Sequence, residues 1–423
     1  MKVLLINGVY GYASTGTIVR DIQHLCEQQG IECHVAYSET NLPAEQIHNG
    51  YQIGSKWEKK LHAILCRING RQAYFSHIAT HGLIKHIETL QPDIVHLHTI
   101  HGNYLNMPML LTFLANKRIR TIITMHDCWY YTGGCFHYTQ ANCFKWQQSC
   151  GNCPKKKTDT PAYFLDKSSQ ILADRKRLFD AIPDLTVTGV SSWICEESKK
   201  GIFRDKNVVT IHNGIDTTVF RPTTLDDIEP NEAILKLQSE LSGHFSIMGL
   251  AGKWLDPINR EAFLYITSQM EDNDRFLLFG CNEAKLNILN SLNLPECKVI
   301  TFGYTTNRQQ LAVLYSMADV FINCTREESF SLINVEPQAC GTPVVTYANT
   351  GAQETVNNKC SYGVPTCDLQ AMWDKISFIR ENGKAHYSSD CIQWVKENFD
   401  MHDNYLKYLK LYESDTVKNC IDI

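Results

Sequence analysis

Two acids, Glu328 and Glu336, bracket seven residues in the run Glu327-Glu328-Ser-Phe-Ser-Leu-Ile-Asn-Val-Glu336, which continues as Pro337-Gln-Ala-Cys-Gly341-Thr-Pro. Proline suits a first helical turn, where its missing N–H costs nothing, so the spacing predicts a helix opened by Glu336 and ended by Gly341. The free amides of such a turn can hold a phosphate, while carboxylates on either side grip hydroxyls. A phosphate flanked by hydroxyls describes a nucleotide sugar, the ligand these residue types suit. A lone glutamate at a helix start is a common capping residue. Capping explains one acid, but not the pair together with Ser-Phe and Ala-Cys-Gly-Thr-Pro.

Four other stretches carry chemistry. Asn7-Gly8-Val-Tyr-Gly11-Tyr-Ala-Ser14-Thr15-Gly16-Thr17 follows an apolar run and precedes a helix expected to start near Ile18. Its glycines let a backbone approach a ligand, but the spacing is not Gly-x-Gly-x-x-Gly and implies no dinucleotide. Asp93-Ile-Val-His96-Leu-His98-Thr-Ile-His101 ends a strand with three histidines. His96 and His98 share a strand face, so a metal pair and packed or cleft-lining imidazoles are both open. Thr121-Ile-Ile-Thr-Met-His126-Asp127 puts an imidazole at a strand end with Asp127 beside it to orient it; the alternative is a core histidine. Cys128, Cys135, Cys143, Cys150 and Cys153 then crowd one segment. Cys135, Cys143, Cys150 and Cys153 can close a tetrahedral zinc site, with His137 able to replace one of them; disulfides or merely clustered thiols are as open.

The elements that must position these residues are legible as alternating strand-like and helical patterns, which favour parallel sheets covered by helices on both faces. Expected strands are 2–6, 32–37, 93–98, 120–125, 185–190 and 207–211, then 245–250, 275–279, 297–302, 319–323 and 342–347. The acidic stretch 223–243 reads as a connection, and Asn213-Gly214 before it as a turn, which places a boundary near 215. At 423 residues the chain suits two domains of about 200 each. Ligands of doubly wound domains sit at the carboxyl ends of the strands. Residues 55–75 read as a helix carrying Trp57, Leu61, Ile64, Leu65 and Ile68 between Lys56, Lys59, Lys60, Arg67 and Arg71. Such a helix either lies on anionic lipid or packs its apolar side into the core. The net charge of −5 argues against a general nucleic-acid binder. The short run Met1–Ile6, broken by Asn7-Gly8, is no signal peptide, and no run is long enough to cross a bilayer; a cytoplasmic protein is expected. Most of the seventeen cysteines are then expected as reduced thiols.

The Glu328-x7-Glu336 run resembles the signature of family 4 glycosyltransferases. His212-Asn213-Gly214-Ile215-Asp216 matches the family's hinge, and Ser14-Thr15-Gly16 with the Cys-rich insertion resembles its exopolysaccharide- and capsule-building branch. The resemblance runs from Ser14 through Glu354. It implies an α/β protein of GT-B type, two Rossmann-like doubly wound domains facing across a cleft. These would be 1–215 with the insertion 128–154, 216–385, and a segment 386–423 returning to the first domain. It implies a retaining transfer from a nucleotide-diphosphate sugar to a glycan or lipid-linked glycan in cell-surface polysaccharide synthesis; the basic helix at 55–75 would suit a peripheral position on the membrane's inner face. The leaving diphosphate would assist the incoming hydroxyl, so no nucleophile and no metal are required for chemistry, and zinc would be structural only. His126 and Glu328 would be catalytic. Gly16, Lys253, Arg260, Phe330, Ser331, Leu332 and Glu336 would bind the donor, and Ser14, Thr15, His98, His101 and Asp127 would lie on the acceptor side. Ser331 stands where glycine is commoner. Ile258-Asn259 stands where the family carries Lys-Gly, so either Arg260 substitutes for the lost cation or activity is lost. A non-catalytic binder, a sugar-nucleotide epimerase and a zinc module on a glycosyltransferase-like scaffold are the rival readings.

Overall fold

The computed structural model describes residues 1–159, 161–229, 231–292, 294 and 298–414. The chain forms two compact units: Met1–Asn213 joined by the chain from Tyr405 onward, and Gly214–Asn404.

The first unit runs β1 (Lys2–Tyr10), α1 (Ala13–Gln28), β2 (Glu32–Thr40), β3 (Gly50–Gln52), α2 (Lys56–Asn69), α3 (His77–Leu90), β4 (Ile94–Leu97), α4 (Met107–Lys117), β5 (Arg120–Met125), α5 (Ser168–Asp180), β6 (Leu185–Gly189), α6 (Ser192–Lys199) and β7 (Asn207–Thr210). Its seven strands lie in the order β3-β2-β1-β4-β5-β6-β7, all parallel, with Leu5 paired to Val35 on one side and to His96 on the other. Strands buried on both faces read as near-continuous apolar runs, as Val3–Ile6 and Ile122–Ile123 do. Helix starts follow their caps: Asn106 Oδ1 accepts from Met109 N at 2.9 Å, and Ser55 Oγ from Glu58 N at 3.3 Å. Strand β1 runs on through Asn7-Gly8, because buried Asn7 accepts from Thr99 N at 2.9 Å and Gly8 N donates to Thr99 O at 3.1 Å.

The second unit runs α7 (Glu232–Leu241), β8 (Phe245–Leu250), α8 (Ala251–Trp254), α9 (Arg260–Gln269), β9 (Asp274–Phe279), α10 (Glu283–Asn290), β10 (Val299–Phe302), α11 (Arg308–Met317), β11 (Val320–Asn323), α12 (Leu332–Ala339), β12 (Val344–Tyr347), β13 (Tyr362–Val364), α13 (Leu369–Asn382) and α14 (Ala385–Asn398). Its six parallel strands lie in the order β10-β9-β8-β11-β12-β13. The last described helix, α15 (Met401–Glu413), contains the boundary between Asn404 and Tyr405.

Three expectations are corrected. The stretch 223–243 contains α7, because Ile234, Leu237 and Leu241 recur at helical spacing and are buried. The pattern over 386–413 is two helices. Tyr387, Cys391 and Val395 of α14 belong to the second unit's cores, so only residues from Tyr405 onward return to the first unit. The expected strand 297–302 begins at Val299, and residue 297 lies outside the described residues.

Candidate functional site

In the second unit the strand order reverses between β8 and β11, and the loops after these strands carry the expected donor residues. Trp254, fully buried, donates from Nε1 to Ile322 O at 3.1 Å and pins the loop after β8 to β11. A Cβ on Gly249, near the end of β8, would meet that indole nitrogen at 2.5 Å, so this strand position needs glycine. The pinned loop holds Lys253 Nζ 3.6 Å from Glu328 Oε1. Glu328 is fixed through its backbone: its N–H donates to Thr350 Oγ1 at 2.9 Å, and its carbonyl accepts from Thr350 Oγ1 at 2.6 Å and Gly351 N at 2.9 Å. Thr350 holds this position at a left-handed φ of 45°, strained for a β-branched residue. Glu328 Oε2 is buried without a protein partner.

Helix α12 starts at Leu332, so Glu336 lies in its second turn instead of opening it, and Pro337 is inside the helix. A buried polar network holds the helix despite the proline. Asn323 Nδ2 donates to Asn334 Oδ1 at 2.9 Å, Asn334 Nδ2 to Thr355 Oγ1 at 3.0 Å, and Gln338 Nε2 to Thr355 O at 2.8 Å. Ser331 is the N-cap, but its Oγ accepts from Asn323 Nδ2 at 3.2 Å and caps no amide of the first turn. The Ser331 side chain thus leaves the amides at the start of α12 uncapped, while the Phe330 and Leu332 side chains pack at the rim of the core. Glu336 Oε2 accepts from Tyr315 OH at 2.9 Å. Burial pushes its carboxyl up to about 7, opposed by the Tyr315 hydrogen bond and the Arg308 charge.

Sequence reasoning missed Arg326. Its Nε donates to Asn259 Oδ1 at 3.2 Å and its Nη2 to Ile258 O at 2.5 Å, so a cation is anchored on the loop that lacks Lys-Gly. Asn259 also donates to Lys253 O at 3.1 Å and ties the two cations' segments together. Arg260 is the first residue of α9, with Nε buried and unpartnered. The available signal was a cation directly before Glu327-Glu328; it becomes meaningful only when the two loops meet.

In the first unit, His96 and His98 share a face with ring centres 4.1 Å apart. His96 is a packed residue: Nδ1 lies 2.7 Å from Tyr412 OH and Nε2 2.7 Å from Thr124 Oγ1. His98 Nδ1 lies 3.0 Å from His126 Nε2, whereas Asp127 Oδ2 pairs with His101 Nε2 at 2.8 Å. The expected orientation of His126 by Asp127 is thus replaced by two pairs, His126 with His98 and Asp127 with His101. Burial lowers His96 to about 3 and His126 to about 4 and drives His98 well down, so all three are neutral imidazoles at pH 7. Burial alone would raise Asp127, but His101 and the Trp129 amide outweigh it and hold the carboxyl below its ordinary value. Helix α1 begins at Ala13, so Ser14 and Thr15 form its first turn, Ser14 exposed and Thr15 half-buried. Gly16 is buried, and a Cβ there would meet the Val9 backbone at 3.2 Å; this glycine lets α1 pack closely on β1.

The cysteines separate into two groups. Cys128 is buried with Sγ 4.0 Å from His137 Nδ1, and neither residue lines the cavity that the other four share. Cys135, Cys143, Cys150 and Cys153 line one cavity of about 20 Å³. Helix α2 buries His62 and Cys66 and leaves Trp57 79%, Leu61 57%, Ile64 54% and Ile68 50% exposed. Among the described residues no helix is long and apolar enough to cross a membrane.

Two family models match the chain, "Glycosyltransferase Family 4" over residues 15–219 and "Glycosyl transferases group 1" over 261–393. A D-inositol 3-phosphate glycosyltransferase of Mycobacteroides abscessus is 25% identical over 43% of this chain, which spans 41% of that relative's length. The N-acetyl-alpha-D-glucosaminyl L-malate synthase of Bacillus anthracis is 26% identical over 41% of this chain and 44% of its own. Among solved structures, a glycosyltransferase from Rickettsia africae superposes with a TM-score of 0.66 at 17% identity, covering 97% of both chains. Anabaena HepE, solved with UDP-glucose, gives 0.65 at 14% identity over 98% of this chain and 100% of its own. These likenesses establish the GT-B fold.

Proposed function

We propose that this chain, which belongs to the family 4 glycosyltransferases, moves a sugar from a nucleoside-diphosphate donor held by its second unit to a glycan or lipid-linked glycan acceptor. The observation that carries this reading is Glu328. A carboxylate with one oxygen near Lys253 and the other buried and unpartnered stands at the strand-order reversal, where hydroxyl donors of a sugar satisfy it. Glu336, half-buried in α12, accepts ribose hydroxyls, and the amides of Phe330–Leu332 face the diphosphate. Lys253, Arg260 and Arg326 neutralise that diphosphate as it leaves. In the retaining course, the bond from anomeric carbon to diphosphate oxygen breaks and the acceptor oxygen bonds the same face. The acceptor's proton passes to the departing diphosphate. His126, neutral, exchanges hydrogen bonds with sugar hydroxyls and carries no charge.

UDP-sugars are the first donors to try, since a structural relative is solved with UDP-glucose. Polysaccharide synthesis at a membrane is supported by α2, whose exposed apolar stripe is flanked by exposed Lys56, Lys60 and Arg67. A second reading, binding without turnover, is favoured by Ile258-Asn259. The test is a thermal-shift and donor-hydrolysis screen against UDP-, GDP- and other nucleotide sugars. Stabilisation with slow hydrolysis by one donor, the hydrolysis lost in Glu328→Ala, is expected. Stabilisation with neither hydrolysis nor transfer to any acceptor supports the second reading, and no response to any donor overturns both.

A further inference from the structure

The chain between Thr132 and Lys167 holds, among its described residues, a single regular element, the three-residue 3-10 turn Lys145–Gln147. Loops of this length without secondary structure are uncommon in compact domains, and those that persist are functional or are tied down. This one is tied down at its aromatics: Tyr138 and Trp146 are buried, their rings 5.0 Å apart. Beside Trp146, Cys135, Cys143, Cys150 and Cys153 arrive from separate turns on one cavity, which Gly133, Lys145 and Ser168 also line. At about 20 Å³ it takes one ion or one water, not a substrate.

We propose that these four cysteines bind one structural divalent zinc-class ion that fixes the insertion against the first unit. Burial raises the thiols of Cys135, Cys150 and Cys153, and backbone amides oppose it at two of them. The Gly133 and Lys155 amides donate to the sulfurs of Cys150 and Cys153, as backbone amides do around metal-bound thiolates. A Cβ on Gly133 would meet Cys150 Sγ at 2.9 Å and Ser168 O at 2.5 Å, so only glycine lets that amide pass. The charge balance is independent of these contacts. Arg175 is fully buried, stacks 3.6 Å over Trp129, and gives Nη1 to the carbonyls of Trp129 and Thr132. Its Nε and Nη2 have no protein partner, and Thr132, whose carbonyl it holds, directly precedes Gly133 of the cavity wall. Four thiolates around a divalent ion leave roughly two negative charges, the counter-charge a buried guanidinium needs. Among the described residues no three His, Cys, Asp or Glu side chains stand ready for a metal. Loading therefore rotates the sulfurs inward about their χ1 bonds; each thiol releases its proton to solvent and the ion gives up its waters.

The full chain is purified with zinc and reductant and its metal counted by mass spectrometry, beside Cys135→Ser, Cys153→Ser and, as control, the exposed Cys367→Ser. One zinc per chain is expected in the wild type and in Cys367→Ser, with loss from the other two. A cadmium-loaded wild type should show thiolate-to-metal absorption, a readout that does not depend on the variants folding. Wild-type zinc below about half an equivalent overturns the proposal. So does zinc unchanged in both Cys135→Ser and Cys153→Ser, or peptide mapping that finds these four cysteines in disulfides.

Discussion

In the proposed donor site, Glu336 is the residue whose ionisation should govern binding. Its carboxyl is raised to about 7 by burial, so it is half-protonated near neutrality. Accepting two ribose hydroxyls requires the carboxylate, and donor affinity should weaken by about tenfold between pH 8 and 6. Titration of the donor by calorimetry checks this, and Glu336→Gln should bind weakly with no such slope. A flat wild-type profile would remove Glu336 from the ribose. The same shift bears on stability with the opposite sense. A carboxyl raised in the fold favours folding below its unfolded value near 4.3, and that contribution is lost as pH rises through about 7. Arg326 is tested more directly. If it neutralises the leaving diphosphate, Arg326→Ala should lower kcat/KM for donor hydrolysis about 10- to 100-fold, or about 1.4–2.7 kcal/mol of barrier. An unchanged rate would make Arg326 only a tie to Ile258 and Asn259.

At the scale of elements, α2 is turned opposite to expectation for a core helix. His62 Nδ1 lies 2.7 Å from Ser76 Oγ and its ring meets Phe75 edge-on, so a polar side faces inward. Trp57, Leu61, Ile64 and Ile68 face out, and the loop after Ala162, whose Tyr163 N donates to Arg67 O at 2.9 Å, adds exposed Tyr163, Phe164 and Leu165 beside the helix's last turn. Fully burying side chains of this kind is worth about 1.5–3 kcal/mol each, which the fold leaves unused. Co-sedimentation with vesicles rich in anionic lipid should capture the wild type, less so in high salt. The double variant Trp57→Ser with Ile64→Ser should stay in the supernatant, with its melting temperature unchanged because both positions are exposed. Equal recovery of wild type and variant would disconnect α2 from lipid.

For the whole molecule, the return of the chain at Tyr405 is a structural commitment of the first unit. Tyr408 and Tyr412 of α15 are buried, Tyr412 OH reaches His96, and Arg120 donates to the carbonyls of Leu411 and Tyr412 at 2.6 and 2.9 Å. These bonds satisfy end-of-helix carbonyls with a cation, and each net bond to a charged donor is worth about 1.5–3 kcal/mol. A chain ended at Asn404 should therefore lose hydrogen-exchange protection in β4 and β5 while β8 and β11 keep theirs. Uniform loss in both sheets would show that the two units unfold as one.

Most of the fold could be read from the sequence, because strands buried on both faces must be apolar runs and helices must repeat every three to four residues. Two three-residue edge strands, β3 and β13, carried too few residues for a period to show. The residue types of the proposed donor site were legible for the same local reason: Glu328, Glu336 and Lys253 lie in short contiguous motifs. What only the tertiary structure decided were pairings between distant segments. His126 takes His98 and leaves Asp127 to His101, and Arg326 closes on Asn259. Trp57 faces outward while His62 turns in. Side-chain spacing fixes which residues share a face, but which face is buried, and which partner ends a hydrogen bond, follow from packing the elements against one another.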